Sequence, residues 1–409
     1  MNKMTYIGLL CLILISCTVM LIMAVSPKII TVNADTDYST AKAMCVIDAS
    51  SKRVLRQKDC DKRLPMASTT KIMTALIALE KCEDLDEVFD VDNRASGIEG
   101  TSMYLQKDER LSMRELLYGL MLNSGNDSAT AIAYKIGGGN LQNFVDMMNN
   151  KCDELNLKNT HFDNPHGLDS DTHYTSAYDL AVITSKAMEN ADFREIVSTK
   201  IKQISGNSQV NARFMRNKHK LLGVMDGCEG VKTGFTDNAR RCCVTSVKRD
   251  DLRLICVVLN CQDMFEDSRS QLEKAFEEYE NTCVLEPYYM IGDIKVENGE
   301  QEVVKTYVEN ACYYPLKQDE KQLIRYEVEN LSECLVAPVL KNQVVGKLKI
   351  YFENQVIATC DILTMEQVNE KTIMDKVNDI IEKWYLGSDN WFCEIIFVNN
   401  ISIIWIHKK

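Results

Sequence analysis

Ser68 and Lys71 stand three residues apart in the stretch Leu64-Pro65-Met66-Ala67-Ser68-Thr69-Thr70-Lys71. On a helix that step puts both side chains on one face, about 5–6 Å apart at Cβ. A serine hydroxyl is a weak nucleophile until a base takes its proton. A buried lysine can be that base, because burial disfavours the ammonium form. The N-terminal end of such a helix also offers backbone N–H groups to a developing oxyanion. An S-x-x-K tetrapeptide arises often by chance on a solvated surface, so the pair needs company. Asn123-Ser124-Gly125-Asn126 supplies a second hydroxyl and a carboxamide on a tight turn after Leu120-Met121-Leu122. Lys232-Thr233-Gly234 supplies a cation, a hydroxyl and a residue with no side chain, where a substrate can lie against a strand edge.

The elements that must position these groups read as follows. Residues 43–48 and 53–55 form a hairpin across Ala49-Ser50-Ser51-Lys52. Pro65 opens a helix whose Ile72, Leu76 and Leu79 recur at helical spacing. Further helices are expected over Ser112–Leu122, 128–136, 141–155 and 177–190, the last capped by Thr175-Ser176. After Gly234 the period changes to that of strands, at 242–247 and 252–259, and a helix at 271–279 closes the unit. A helical middle flanked by strands predicts one α+β domain over 36–283. Short strands at 303–308, 347–352 and 356–362 predict a small all-β domain over 288–364. In the tail, 365–409, Met365, Val368, Met374, Val377, Ile381 and Trp384 share one face of an amphipathic helix over 365–386.

The chain has 409 residues and a net charge of −12. An acidic chain with no basic block is unsuited to gripping nucleic acid through its phosphates. Lys3, an apolar stretch from Tyr6 to Val25 and the small-residue site Val32-Asn33-Ala34 read as an export signal over 1–34. The same apolar run is long enough to span a bilayer uncleaved, and Leu14-Ile15-Ser16-Cys17 has the look of a lipoprotein box. Of the 16 cysteines, Cys11 and Cys17 fall in this leader. With no C-x-x-C and no Cys/His cluster, neither a zinc site nor any other metal or cofactor is expected.

The ordered set S-x-x-K, S-x-N, K-T-G is the signature of penicillin-recognising serine enzymes. Here 56 residues separate Ser68 from Ser124, and 108 separate Ser124 from Lys232. Over about residues 40–265 the sequence resembles the low-molecular-mass penicillin-binding proteins that are D-alanyl-D-alanine carboxypeptidases. Leu64 to Thr74 resembles their nucleophile helix. Asn164-Pro165-His166-Gly167-Leu168-Asp169 and His173 to Leu180 are similar to another of their stretches. The resemblance implies a penicillin-binding/β-lactamase-like transpeptidase fold for the first domain, followed by the small all-β domain and the amphipathic C-terminal helix.

It also implies roles. Ser68 is the acylated nucleophile and Lys71 its base. Ser124 relays a proton to the leaving D-alanine, and Asn126 holds the peptide's amide. Lys232 supplies positive charge beside Ser124, and Thr233 takes the terminal carboxylate. Gly234 lets substrate lie close, and the backbone N–H groups of Ser68 and Phe235 form the oxyanion hole. Arg253, on the next strand, is a further carboxylate contact, and His166 is structural rather than a base. The implied partners are peptidoglycan stem peptides, β-lactam antibiotics and a membrane surface. The implied place is the outer face of the cytoplasmic membrane or the wall. D,D-endopeptidase action on cross-links, or penicillin binding without turnover, stay open beside carboxypeptidase action. Two departures stand out. Arg240 follows Ala239 where the family usually has glycine, and Cys152 occupies the glutamate place of the nearest E-x-x-L-N look-alike, Cys152 to Asn156, which argues against β-lactamase as the main activity.

Overall fold

The structure, a computed structural model, describes residues 39–204, 212–386, 391–398 and 401–408. The expected export signal lies outside them. Two compact units divide the chain, Met1–Ala275 and Phe276–Lys409.

The first unit is built on a five-stranded antiparallel sheet. Its strands β1 (Ala43–Asp48) and β2 (Val54–Lys58) form the hairpin read from the sequence. Two minor hairpins, β3 (Val88–Asp90) with β4 (Arg110–Ser112) and β5 (Ile201–Ile204) with β6 (Arg213–Arg216), lie between the halves of the sheet in the chain. The other sheet strands are β7 (Cys228–Thr236), β8 (Arg240–Arg249) and β9 (Leu252–Leu259). The order is β2-β1-β9-β8-β7, which joins the two ends of the domain through β1 and β9 and leaves β7 at an edge. Every residue of β1 is buried, and β9 is buried at every position but Arg253. Strands covered on both faces are apolar at nearly every position rather than alternating.

The helical layer surrounds one helix, α1 (Lys71–Lys81). Its residues from Lys71 to Ala78 are all buried, as expected of a helix packed on every side. Each fully buried Ile, Leu or Met contributes roughly 1.5–3 kcal/mol. Around α1 pack α2 (Met113–Leu122), α3 (Asn126–Ile136), α4 (Leu141–Glu154), α5 (Ala177–Ala187) and α6 (Ala191–Ser198), and α5 also covers β1 and β9. Ser112 caps α2 by a reciprocal box with Glu115, and Ser176 caps α5 by accepting from Asp179 N. The last helix, α7 (Met264–Glu278), leads into the second unit.

Pro65 does not begin the first helix. It sits in an extended segment tied down by a bridge between Leu64 and Thr175. The helix opens at Ala67 with a 3-10 turn, Ala67–Thr70, that runs into α1. Asn126 is likewise the first residue of α3 and not a loop residue.

The second unit holds a six-stranded sheet over a small core that includes Val304, Leu348, Ile350 and Ile362. A two-stranded ladder, Glu280–Leu285 with Cys312–Leu316, stands apart from it. The tail helix is shorter than its periodicity suggests, running over Ile373–Leu386. Val368 bridges Val339 and is buried, and Met365 N donates to Lys305 O, so both belong to the β unit and not to the helical face. Trp391–Val398 and Ile401–Lys408 pair as a hairpin. Among the described residues no helix is long and apolar enough to cross a membrane.

The 13 cysteines from Cys45 to Cys360 are free thiols. Cys242, Cys243 and Cys256 are fully buried in the central sheet, and burial pushes the first two thiols up to about 12. Among the described residues there is no group of His, Cys, Asp or Glu placed to hold a metal ion.

Candidate active site

The 3-10 turn that carries Ser68 is forced close to β7 by what lies on each side. Ala67 has φ of 49°, in the left-handed region. A Cβ on Gly234 would lie 2.9 Å from Ser68 N and 3.1 Å from Met66 O, so only glycine lets the strand come this near. From the other side, Gly167 has φ of 94°, and a Cβ there would meet Ala67 O at 1.9 Å. The turn is thus held between a strand and the 164–168 loop at two points that admit no side chain.

Lys71 Nζ lies 3.0 Å from Ser68 Oγ. It also donates to Asn126 Oδ1 at 2.7 Å and to the His166 carbonyl at 2.6 Å. Burial holds the Lys71 amine well below its ordinary range, and the nearby Lys232 and Lys218 charges push the same way. With two N–H bonds committed to Asn126 and His166, a neutral Lys71 amine would turn its lone pair toward the serine hydroxyl. Lys232 is buried as well, its Nζ donating to Thr233 O at 2.8 Å. Burial, with a smaller contribution from Lys218, brings it down to about 7.

Ser124 has φ of 64°, and its carbonyl accepts a bond from Thr101 Oγ1. The Asp127 carboxylate fixes the opposite wall. It accepts from Met103 N at 3.0 Å, Leu105 N at 3.0 Å and Ser102 Oγ at 2.5 Å, binding the 101–105 loop to the start of α3. Asn126 Nδ2 adds a bond of 2.6 Å to Glu99 O. Between these walls opens a cleft of about 420 Å³, ordinary for a small-molecule site. Ser68, Ser124, Asn126, Thr233, Gly234 and Phe235 line it, together with His166, Leu168, Lys218, Arg241 and Met264.

The family profile described as D-alanyl-D-alanine carboxypeptidase matches residues 30–263, and that of the penicillin-binding protein 5 C-terminal domain matches residues 279–370. The chain belongs to the D-alanyl-D-alanine carboxypeptidase family. The D-alanyl-D-alanine carboxypeptidase DacF of Bacillus subtilis is 28% identical over 352 residues, covering 84% of this chain and 90% of that protein. DacD of Escherichia coli, of the same description, is 27% identical over 353 residues, covering 83% and 89%. The crystal structure of penicillin binding protein 5 from Haemophilus influenzae superposes with a TM-score of 0.67 at 28% identity, covering 81% of this chain and 98% of that one. Members of the carboxypeptidase family are serine hydrolases that work through an acyl-enzyme, act on peptidoglycan stem peptides and bind β-lactams.

Seen as a carboxypeptidase-family site, the structure brings Ser68, Lys71, Ser124, Asn126, Lys232, Thr233, Gly234 and Phe235 together. Arg253 is placed elsewhere. Its guanidinium forms a two-pronged pair with Glu229, at 2.8 and 3.0 Å, and it does not line the cleft. In the ladder Arg253 stands opposite Lys248, at the end of the sheet where β7 begins, whereas Thr233 to Phe235 lie toward its other end. The expected carboxylate contact is therefore corrected: the cationic side chains that line the cleft are Lys218 and Arg241.

His166 acts through its backbone carbonyl on Lys71. Its imidazole, lowered to about 3 chiefly by burial, accepts from Leu168 N at 3.3 Å. Three groups escape motif reading, namely that carbonyl, the Asp127 clamp and Lys218. Asp127 directly follows the Asn123-Ser124-Gly125-Asn126 turn, and an acid at a helix start carries a signal for capping. A main-chain carbonyl carries none.

Proposed function

We propose that this enzyme removes the terminal D-alanine from peptidoglycan pentapeptide stems, with Ser68 as nucleophile and Lys71 as its base. The observation that carries the assignment is the placement of Lys71 Nζ, held 3.0 Å from Ser68 Oγ by its bonds to Asn126 Oδ1 and the His166 carbonyl. In acylation Ser68 Oγ bonds to the penultimate D-alanine's carbonyl carbon, and its proton passes to Lys71 Nζ. The oxyanion forms at the N–H groups of Ser68 and Phe235, which Gly234 allows to converge. The C–N bond then breaks, and the departing D-alanine amine takes a proton through Ser124. Thr233 and Lys232 hold the terminal carboxylate. The second N–H of Asn126 Nδ2, left over by Glu99, holds a substrate carbonyl. Water then releases the acyl-enzyme, activated in the same Lys71–Ser124 region.

Purified enzyme incubated with a pentapeptide ending in D-Ala-D-Ala should release one D-alanine per peptide and show a penicillin adduct on Ser68 by mass spectrometry. A penicillin adduct without D-alanine release would replace turnover by mere penicillin binding.

We further place the enzyme outside the cytoplasmic membrane, held there by its tail. Ile373, Met374, Ile380 and Trp384 on the tail helix are exposed apolar side chains, suited to an interface. Flotation with liposomes should separate residues 35–409 from residues 35–364. Equal recovery of both in the soluble fraction would remove the anchor.

A further inference from the structure

The cleft has a cation toward each end, Lys218 and Arg241. Lys218 stands at the Ser124 end, its Nζ donating to Asn123 O at 2.9 Å. Arg241 stands at the Phe235 end, directly opposite Phe235 in the β7–β8 ladder, so that both side chains leave the same face. Its position is fixed. Its carbonyl accepts from Cys261 N at 2.9 Å, and Nη1 donates to Gln262 O at 3.1 Å. A guanidinium has five N–H donors, and among the described residues Arg241 forms no ion pair that would occupy the others. Asp169, near this strand end, accepts from Thr236 Oγ1 at 2.9 Å, and Thr236 alternates to the opposite face from Phe235.

The reaction direction says what Arg241 meets. With the terminal carboxylate at Thr233 and the leaving amine at Ser124, the scissile carbonyl sits at Phe235 N. The acyl half must then run on along the free edge of β7, past Phe235 and Thr236, as an added strand would. One residue of extended chain advances about 3.3 Å. The first side chain upstream of the two D-alanines therefore comes beside the Phe235–Arg241 pair.

We propose that Arg241 binds a carboxylate on the third residue of the stem peptide, so that the enzyme selects stems with a free diamino diacid there over stems with lysine. This rests on the carboxypeptidase reading above. Two forked N–H bonds to a carboxylate are among the stronger and more directional polar contacts.

The test compares D-alanine release from two pentapeptides that differ only in carrying meso-diaminopimelate or lysine at position three. Wild type should favour the diacid by about tenfold in kcat/KM, carried mainly by KM. Arg241→Gln should collapse that ratio to about one, Arg241→Lys should keep part of it, and Arg241→Glu should invert it. Thermal melting of each variant confirms folding. A ratio unchanged in Arg241→Gln, or a loss of equal size for both peptides, would overturn the proposal, since a merely structural arginine would lower both together. If wild type cleaves neither peptide, the carboxypeptidase reading itself fails and this inference falls with it. If it cleaves both equally well, only this inference falls.

Discussion

The missing side chain of Gly234 is what allows its strand to approach within van der Waals reach of Ser68 N: a Cβ there would stand at 2.9 Å. The KTG glycine thus sets the spacing between the two N–H groups offered to the oxyanion. Gly234→Ala should lower the rate of penicillin acylation by about 100-fold, because loss of oxyanion geometry falls on the transition state. The melting temperature should move far less than in Gly167→Ala, where a side chain would strain a left-handed backbone and strike the Ala67 carbonyl. Stopped-flow acylation and thermal melts on the two variants read both effects. Equal acylation rates in Gly234→Ala and wild type would refute the role.

Removing the base should be more severe than removing the cation. Lys71→Ala should slow Ser68 acylation by about 1,000-fold, the range of general-base catalysis. Lys232→Ala should raise KM for peptide more than it lowers kcat. An undiminished penicillin adduct in Lys71→Ala, counted by mass spectrometry, would take the base role away from lysine.

The two buried lysines impose opposite pH demands. Lys71 must be neutral to accept a proton, so activity rises as protons leave it. Lys232 loses its charge as pH climbs through about 7, so capture of the carboxylate weakens above that point. The profile of kcat/KM against pH should therefore be bell-shaped, with a rising KM on the alkaline side. In Lys232→Arg the guanidinium keeps its charge, and the alkaline fall should vanish. An alkaline limb that survives this substitution would assign it to another group.

Arg253 should matter for stability and not for substrate. Its pair with Glu229 is partly buried, at 23% and 20% side-chain exposure. Arg253→Ala should cost roughly 1 kcal/mol after allowance for solvent screening, read from denaturant melts. The peptide KM should stay within about twofold of wild type. A large KM increase would return Arg253 to the site.

Acid should unfold the domain through its buried histidines. His173 accepts from Asp163 N at 3.0 Å and shares a bond with Thr70 Oγ1 at 2.8 Å, and burial lowers it to about 4. An unfolded histidine binds a proton near pH 6.5. Between about 6.5 and 4 the unfolded chain therefore holds the extra proton, and stability falls as pH falls. For one such group the full effect is roughly 3 kcal/mol. His173→Gln should lessen the drop in melting temperature between pH 7 and pH 4. His166 and His219, each lowered to about 3 by burial, leave a residual drop of the same sign.

The reactive groups were legible because their chemistry is local. Ser68 and Lys71 meet through a three-residue step, and a 3-10 turn running into a helix keeps them together even though the helix begins later than Pro65. The central sheet was legible from apolar runs at 43–48 and 252–259, which pair as β1 and β9. What stayed hidden depends on distant segments. Nothing near Arg253 in sequence announces that Glu229 will claim it, and nothing in Arg241 says that a hairpin will bring it beside Phe235. The tail misled for a related reason. Met365 and Val368 fit a helical period, yet strand partners far upstream bind their backbone first.

The buried thiols of the central sheet turn the protein into its own gauge of opening. Cys334 is exposed in the second unit, whereas Cys242, Cys243 and Cys256 are sealed between strands and helices. An alkylating reagent added to native enzyme would mark Cys334 at once and the sheet thiols only when their strands part. Peptide-by-peptide timing of that labelling would separate breathing of the sheet from global unfolding without any engineered probe. Repeating it on the penicillin adduct would show how far a covalent bond at Ser68 slows the motion of strands that never touch the drug.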